Sequence, residues 1–174
     1  QFANQKGWNI KTLFPVIVII VYLSITTLIR ADIWSNYNVH ALIELNNHPD
    51  SPRTNYWAGR VYAILANSET NSSNKKIYIN KAKNYFINSS QLNHSYTDGL
   101  FGMLMLHGIE HIPLDKKAHI MLIKRLANGS FSANNYNHLN AIFNCIKAKA
   151  CQFKPSTINE IMTASSKNSL FSGG

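Results

Sequence analysis

The stretch HPDSPRTNYWAGRVYA, residues 48–63, decides the fold. Ser51 followed by Pro52 is a helix start: a hydroxyl at the N-cap, then proline at the first helical position, where its missing N–H costs nothing. From there Tyr56, Gly59, Tyr62, Ala63 and then Ala66 recur at steps of three and four, one side of a helix expected over 52–66. A glycine among aromatics on one face lets a second helix approach closely. The second helix is expected over 75–91, after the polar hinge NSETNSSN at 67–74. It would turn Ile77 or Tyr78, Ala82, Phe86 and Ser89 inward and Lys75, Lys76, Lys81 and Lys83 to water.

Towards the N-terminus, Pro49 closes a segment read as a helix over 32–46, with Trp34, Asn38, Ala41 and Leu45 in a narrow stripe completed by Ile33, Tyr37 and Leu42. Before it lies TLFPVIVIIVYLSITTLI, residues 12–29. This uncharged run is near the lower limit of the roughly 17–25 residues that cross a bilayer. Its polar residues, Ser24, Thr26 and Thr27, suit a membrane helix because each hydroxyl can bond to its own backbone. A cleaved signal peptide is the competing reading. Against it, no small-x-small pair follows the run, and eleven residues with Lys6 and Lys11 precede it. Those two lysines against the single Arg30 favour the soluble part outside the cytoplasm. The chain begins with Gln rather than Met, so it is expected to be a fragment or a processed product.

Towards the C-terminus the turn signals cut the chain into further helical lengths with no strand-like alternation, so the fold class is all-α. Ser95 is expected to cap a helix carrying Gly99, Leu100, Gly102, Met103 and Leu106, and after HIPLDK a second carries Ala118, Leu122 and Leu126. A helix over about 133–149 is expected to bury Tyr136, Leu139, Phe143 and Ile146, and a short one over about 156–165 presents Ile158, Ile161 and Met162. The two cysteines, Cys145 and Cys151, would stand about 9 Å apart along one continuous helix, too far for a disulfide. A bond therefore requires the helix to end between them, as Pro155 allows; two free buried thiols are the alternative.

The small and aromatic positions resemble the tetratricopeptide pattern: Gly59 and Tyr62 in a first helix, Ala82, Phe86 and Ser89 in a second. The hinge is several residues longer than in that pattern, Asn55 stands where tryptophan is usual, and Gly59 to Gly102 is 43 residues against about 34 for a standard repeat, which makes it tetratricopeptide-like. An apolar span followed by RADIWSNYNVHALIELNNHPDSPRTNYWAG is similar to the junction of multispanning bacterial membrane proteins with an extracytoplasmic tetratricopeptide region, through Arg30, Trp34, Pro49, Ser51, Arg53, Gly59 and Tyr62. The likeness extends to NGSFSANNYNHLNAIFNCIKAKAC and the closing NSLFSGG, and to the extracytoplasmic ends of O-antigen ligase and polymerase proteins and of protein O-mannosyltransferase-like proteins. It implies an anchor over 1–30 in the inner membrane and a helical-repeat domain over 31–174 in the periplasm. It also implies that any chemistry lies in membrane segments upstream.

HGIEH, residues 107–111, is literally the inverted zinc-protease motif, with His107 and His111 as ligands, Glu110 as general base and a distant carboxylate such as Glu160 as third ligand. Gly108 inside it and Pro113 beyond it end the helix where a zinc helix should continue, so the two histidines are better read as helix C-terminal residues, with no metal and no cofactor. His40, His48, His94, His119 and His138 are scattered and read as surface or turn residues. Trp34 and Trp57 read as packing residues rather than a ligand-stacking pair. Sequons at Asn88 and Asn128 matter only in a eukaryotic secretory setting. The net charge of +9 favours anionic partners such as phospholipid head groups. Nucleic acid is not expected, because the aromatics fall at core spacing. The expected work is non-catalytic binding or scaffolding on a concave face formed by the helices around Gly59 and Gly102. The partners are the bilayer and a protein, or a lipid-linked glycan if the parent is a glycan transferase or ligase.

Overall fold

The computed structural model describes residues 10–129 and 131–168. They form eight α-helices and no strand: α1 (Ile10–Ser35), α2 (Tyr37–Asn47), α3 (Pro52–Ser68), α4 (Ser72–Leu92), α5 (Asp98–Glu110), α6 (Lys116–Asn128), α7 (Ala133–Lys147) and α8 (Pro155–Ser166). Lys6, Ser130 of the second sequon and the closing residues after Asn168 lie outside the described residues. The chain divides into two compact units, one to His40 and one from Ala41.

In the first unit α1 contains a segment, Leu13–Ser35, long and apolar enough to cross a membrane, with a mean hydropathy of 2.2 over an 18-residue stretch of which none is buried. Ser24 donates to the Ile20 carbonyl at 2.8 Å, and Thr26 and Thr27 donate to that of Leu23 at 2.9 and 2.7 Å. The three hydroxyls are thus satisfied within the helix, as a lipid environment demands. The helix continues six residues past Ile29, because nothing between Arg30 and Ser35 breaks it. The break falls at Asn36, whose carboxamide accepts from the N–H groups of Asn38 and Val39 at 3.1 and 3.2 Å. The helix expected over 32–46 is therefore two: Trp34 sits on α1, 69% exposed, edge-on to His40.

In the second unit the Ser51–Pro52 start of α3 forms as the local chemistry dictates. Ser51 Oγ accepts from Thr54 N, Thr54 Oγ1 donates to the His48 carbonyl at 2.6 Å, and buried Asn55 donates to that of Pro49 at 2.6 Å. Asn55, where a tryptophan is usual in repeats, is thus the tie that fixes the turn before α3. Across the hinge, Asn71 caps α4 by accepting from Ser73 and Asn74 N–H.

The core is organised around Phe86 on α4, 2% exposed. A Cβ on Gly59 of α3 or on Gly102 of α5 would stand 2.5 Å from the Phe86 ring, so both helices approach α4 through their glycines and close on one aromatic edge. The nearest atoms to Gly59 are thus those of Phe86; Ala82, one turn earlier, is fully buried in the same core. Tyr62 stacks on Tyr85 of α4 at 5.5 Å with the rings 7° from parallel, and Lys81 lies 5.0 Å over the same Tyr62 ring. Ser89 completes the α3–α4 contact by donating to the Pro52 carbonyl at 2.8 Å.

Two expectations fail here. The N-cap of α5 is Thr97, not Ser95, and it makes no side-chain cap bond because its hydroxyl donates to Asn135 Oδ1 on α7 at 2.6 Å. On α7 the inward residues are Asn135, Leu139 and Ile142. Tyr136, Phe143 and Ile146 are 60%, 43% and 37% exposed. The helix is rotated from the face its apolar residues suggested, because Thr97 and Asp98 on α5 supply polar partners for Asn135 and His138.

Helix α7 ends at Lys147, and Lys149 takes a left-handed conformation (φ 56°) that turns the chain back, bringing the Cα atoms of Cys145 and Cys151 to 5.6 Å in a disulfide. Beyond it Gln152 N–H donates to the Gly108 carbonyl at 3.0 Å, and the Phe153 ring sits where a side chain on Gly108 would be. Gly108, a helix-weakening residue in isolation, is the seat of this loop on α5.

Candidate functional site

The helices α3, α5 and α7 border a groove of about 590 Å³. Each lends one stripe at helical spacing: Tyr56, Arg60, Ala63 and Asn67 from α3; Asp98, Gly102, Met105 and Ile109 from α5; Asn134, His138 and Ala141 from α7. Trp57, Phe101 and Leu106 add apolar lining, while Asn67, Asn134 and Asn137 are solvent-exposed at its rim. The volume lies within the roughly 300–1,000 Å³ usual for ligand clefts, and the pattern of apolar walls with few polar groups is theirs too. Arg60 lies 4.9 Å over the Trp57 ring, which spreads its charge on an aromatic face.

One polar cluster within the groove is fully assembled. Asp98, in the first turn of α5, pairs with His138 Nε2 of α7 at 3.2 Å, and both side chains are largely buried. The His138 ring stacks on Phe101 at 4.8 Å and meets Tyr56 edge-on at 5.7 Å, so its plane is fixed on two sides. Burial works to raise the Asp98 carboxyl, but hydrogen bonds from His138 and Tyr96 and the charge of His138 outweigh it and hold the group below its ordinary 3.8. Tyr96 is driven far above the usual phenol range by burial and by its hydrogen bond to Asp98, so it stays a donor.

The sign of the pH effect follows. A carboxylate whose folded value is depressed adds stability that is complete above its unfolded value and is lost as pH falls through the folded one. We therefore expect the stability difference between the wild type and Asp98→Asn, present at about pH 5, to close as the pH falls below about 4. Urea midpoints measured at steps of pH from about 5 downward check it; a difference that grows over that range would contradict the assignment.

The residues of HGIEH do not form a metal centre. Helix α5 ends at Glu110, and His111 lies in the left-handed region (φ 52°) as its C-cap. His107 Nδ1 bonds to the Ile112 carbonyl, so it carries the proton. Glu110 Oε2 pairs with Lys75 Nζ of α4 at 2.7 Å, and Glu160 pairs instead with His119 at 2.7 Å. No group of three or more His, Cys, Asp or Glu is placed to hold a metal ion among the described residues. Lys75, read as a solvated lysine, is thus the counterion of a buried carboxylate. Gly59, Phe86 and Gly102 come together, as described, beneath the groove; Phe86 and Gly102 line it, and Tyr62 lies beside Tyr85.

Sequence reasoning missed Arg60, Asn67, Asp98, Glu110, Asn134, Asn137 and His138 as groove residues. A signal was available in α7, where Asn134, Asn137, His138 and Ala141 repeat at three and four just as its apolar residues do. Two stripes of equal period on one helix do not say which turns inward.

The described residues define a class: all-helical, with one helix apolar and long enough to span a membrane, and a cleft bordered by three helices. Comparison with protein-family models, with curated proteins and with solved structures found no match to this chain.

Proposed function

We propose that this chain is a membrane-anchored, non-catalytic binding module, tetratricopeptide-like in its stacking of helix pairs, whose domain lies outside the cytoplasm and holds an extended polypeptide segment in the α3–α5–α7 groove. The observation that carries the reading is the groove, with an apolar floor and the amides of Asn67, Asn134 and Asn137 at its rim. An asparagine side chain offers one acceptor and two donors, the same set that an extended backbone needs partners for. The packing of α5 against both helices of the α3–α4 pair, with α6 against α5, supports helix-pair stacking. The Cys145–Cys151 disulfide supports an oxidising compartment. A second reading makes the module an accessory of a membrane glycan transferase and puts a lipid-linked glycan in the same groove.

The test uses the full chain in nanodiscs against a phage-displayed library of random peptides, with Ala141→Trp as comparison. Ala141 is exposed and lines the groove, so tryptophan there fills the cleft without entering the core. Selected peptides should bind with Kd of about 1–100 µM and lose tenfold or more of that affinity in Ala141→Trp at an unchanged thermal midpoint. If no enriched peptide depends on the groove, the polypeptide reading fails.

A further inference from the structure

The outward face of α7 carries a stripe of its own. Tyr136, Asn140, Phe143 and Lys147 recur along it at steps of three and four, and all four are exposed. The groove takes the flank of the same helix with Asn134, Asn137, His138 and Ala141, so the stripe belongs to a different surface. Exposed apolar residues are ordinary when scattered singly; two aromatic rings in line on one helix face, ending in a lysine, mark an interaction face. Lys149 follows, exposed, in the loop that the Cys145–Cys151 disulfide closes at this end of α7.

Charge decides which partner fits. Residues 116–159 include no aspartate or glutamate, while their six lysines are all exposed and none is in an ion pair among the described residues. A second copy docked through the same face would bring the same lysines and no carboxylate to meet them. The closing residues SLFSGG have no acidic side chain either. An anionic bilayer surface suits both parts of the stripe. Lipid phosphates take the lysines, and the aromatic rings enter the boundary between head groups and acyl chains, where tyrosine is favoured. Chain connectivity brings the two together: only Asn36 separates α1, with its apolar segment, from α2. A domain tethered so closely to a bilayer meets its surface at a high effective concentration.

We propose that the outer face of α7, through Tyr136, Phe143, Lys147 and Lys149, docks the domain on the surface of an anionic bilayer. This rests on α1 crossing that bilayer and is independent of what the groove binds.

The experiment places a nitrobenzoxadiazole dye at Asn140→Cys, in the middle of the stripe, in the full chain in nanodiscs. The discs are either all phosphatidylcholine or about one third phosphatidylglycerol, and both contain a phosphatidylcholine with a nitroxide quencher on its head group. The ratio of docked to undocked domain, read from the quenching, should rise at least about tenfold in the anionic discs. It should fall about fivefold with each of Lys147→Gln and Lys149→Gln, and return to the neutral level in about 1 M salt, where the screening length is about 3 Å. Phe143→Ser should lower it in both lipids. All three replaced residues are exposed, so the thermal midpoint should not move. The same dye at Asn84→Cys, exposed on α4, should be quenched less. Equal quenching in the two lipids, none in either, an anionic excess that survives salt or the lysine replacements, or Asn84 quenched as strongly as Asn140 would each overturn the proposal. So would a blue-shifted dye without quenching, the sign of a second copy or the closing residues on the stripe. If the chain does not enter the discs, the reading of α1 as a span fails and the docking falls with it.

Discussion

Gly102→Ala is expected to destabilise the helical domain by about 1–3 kcal/mol, the range for overpacking a well-filled core. The sign is the informative part. In an exposed helix interior the same change gains up to about 1 kcal/mol, because glycine is the poorer helix former. Here the added methyl would lie 2.5 Å from the Phe86 ring, which is 2% exposed. The same ring atoms, Cδ1 and Cε1, would also meet a methyl on Gly59 of α3 at 2.5 and 2.6 Å, so one edge is held between two helices. Gly59→Ala should therefore behave alike. Phe86→Leu, itself destabilising, should relieve the clash, so that Gly102→Ala costs less in the Phe86→Leu background than alone. Urea denaturation of the four proteins of that cycle in detergent measures the coupling. Additive effects, or a stabilised Gly102→Ala, would mean that the glycines do not seat on Phe86.

Arg125→Met should cost about 2–4 kcal/mol, and Arg125→Lys should recover only part of it. Arg125 reaches from α6 to three carbonyl oxygens: Ser90 at 2.8 Å, Tyr96 at 2.9 Å and Asn93 at 3.4 Å. These belong to the last turn of α4 and the turn into α5, carbonyls that no helix of their own satisfies. Burial lowers the affinity of the guanidinium for its proton, yet arginine stays charged under any ordinary condition. Methionine fills much of the space and supplies no donor, so the carbonyls of Ser90 and Tyr96 lose the guanidinium, while that of Asn93 keeps the Tyr96 N–H at 3.2 Å. Lysine keeps the charge but cannot bridge carbonyls on two sides with one planar fork. Denaturation midpoints of the three proteins test the order; equal stability of Lys and Arg would reduce the interaction to a simple charge effect.

What the sequence by itself determined is whatever is settled within a few residues. The start of α3 at Ser51–Pro52 is local hydrogen bonding and a fixed φ, and no distant residue is needed to read it. The apolar run of α1, with Ser24, Thr26 and Thr27 bonded to carbonyls three or four residues away, is legible for the same reason. The small and aromatic stripe of Gly59, Ala82, Phe86 and Gly102 was visible because bulk and its absence recur at the helical period. Tertiary structure alone decided the rest. Ser95 and Thr97 are both adequate caps on paper, and Asn135, 38 residues away, engages the hydroxyl of Thr97. In α7 the apolar stripe at Tyr136, Phe143 and Ile146 lost to a stripe holding Asn135 and His138, because Thr97 and Asp98 were there to meet them. HGIEH has the spelling of a zinc site, but Lys75 from α4 engages its glutamate and the left-handed turn at His111 ends its helix. Periodicity assigns residues to a face; which face is buried depends on the partners that the rest of the chain brings to it, and those partners also shaped the groove.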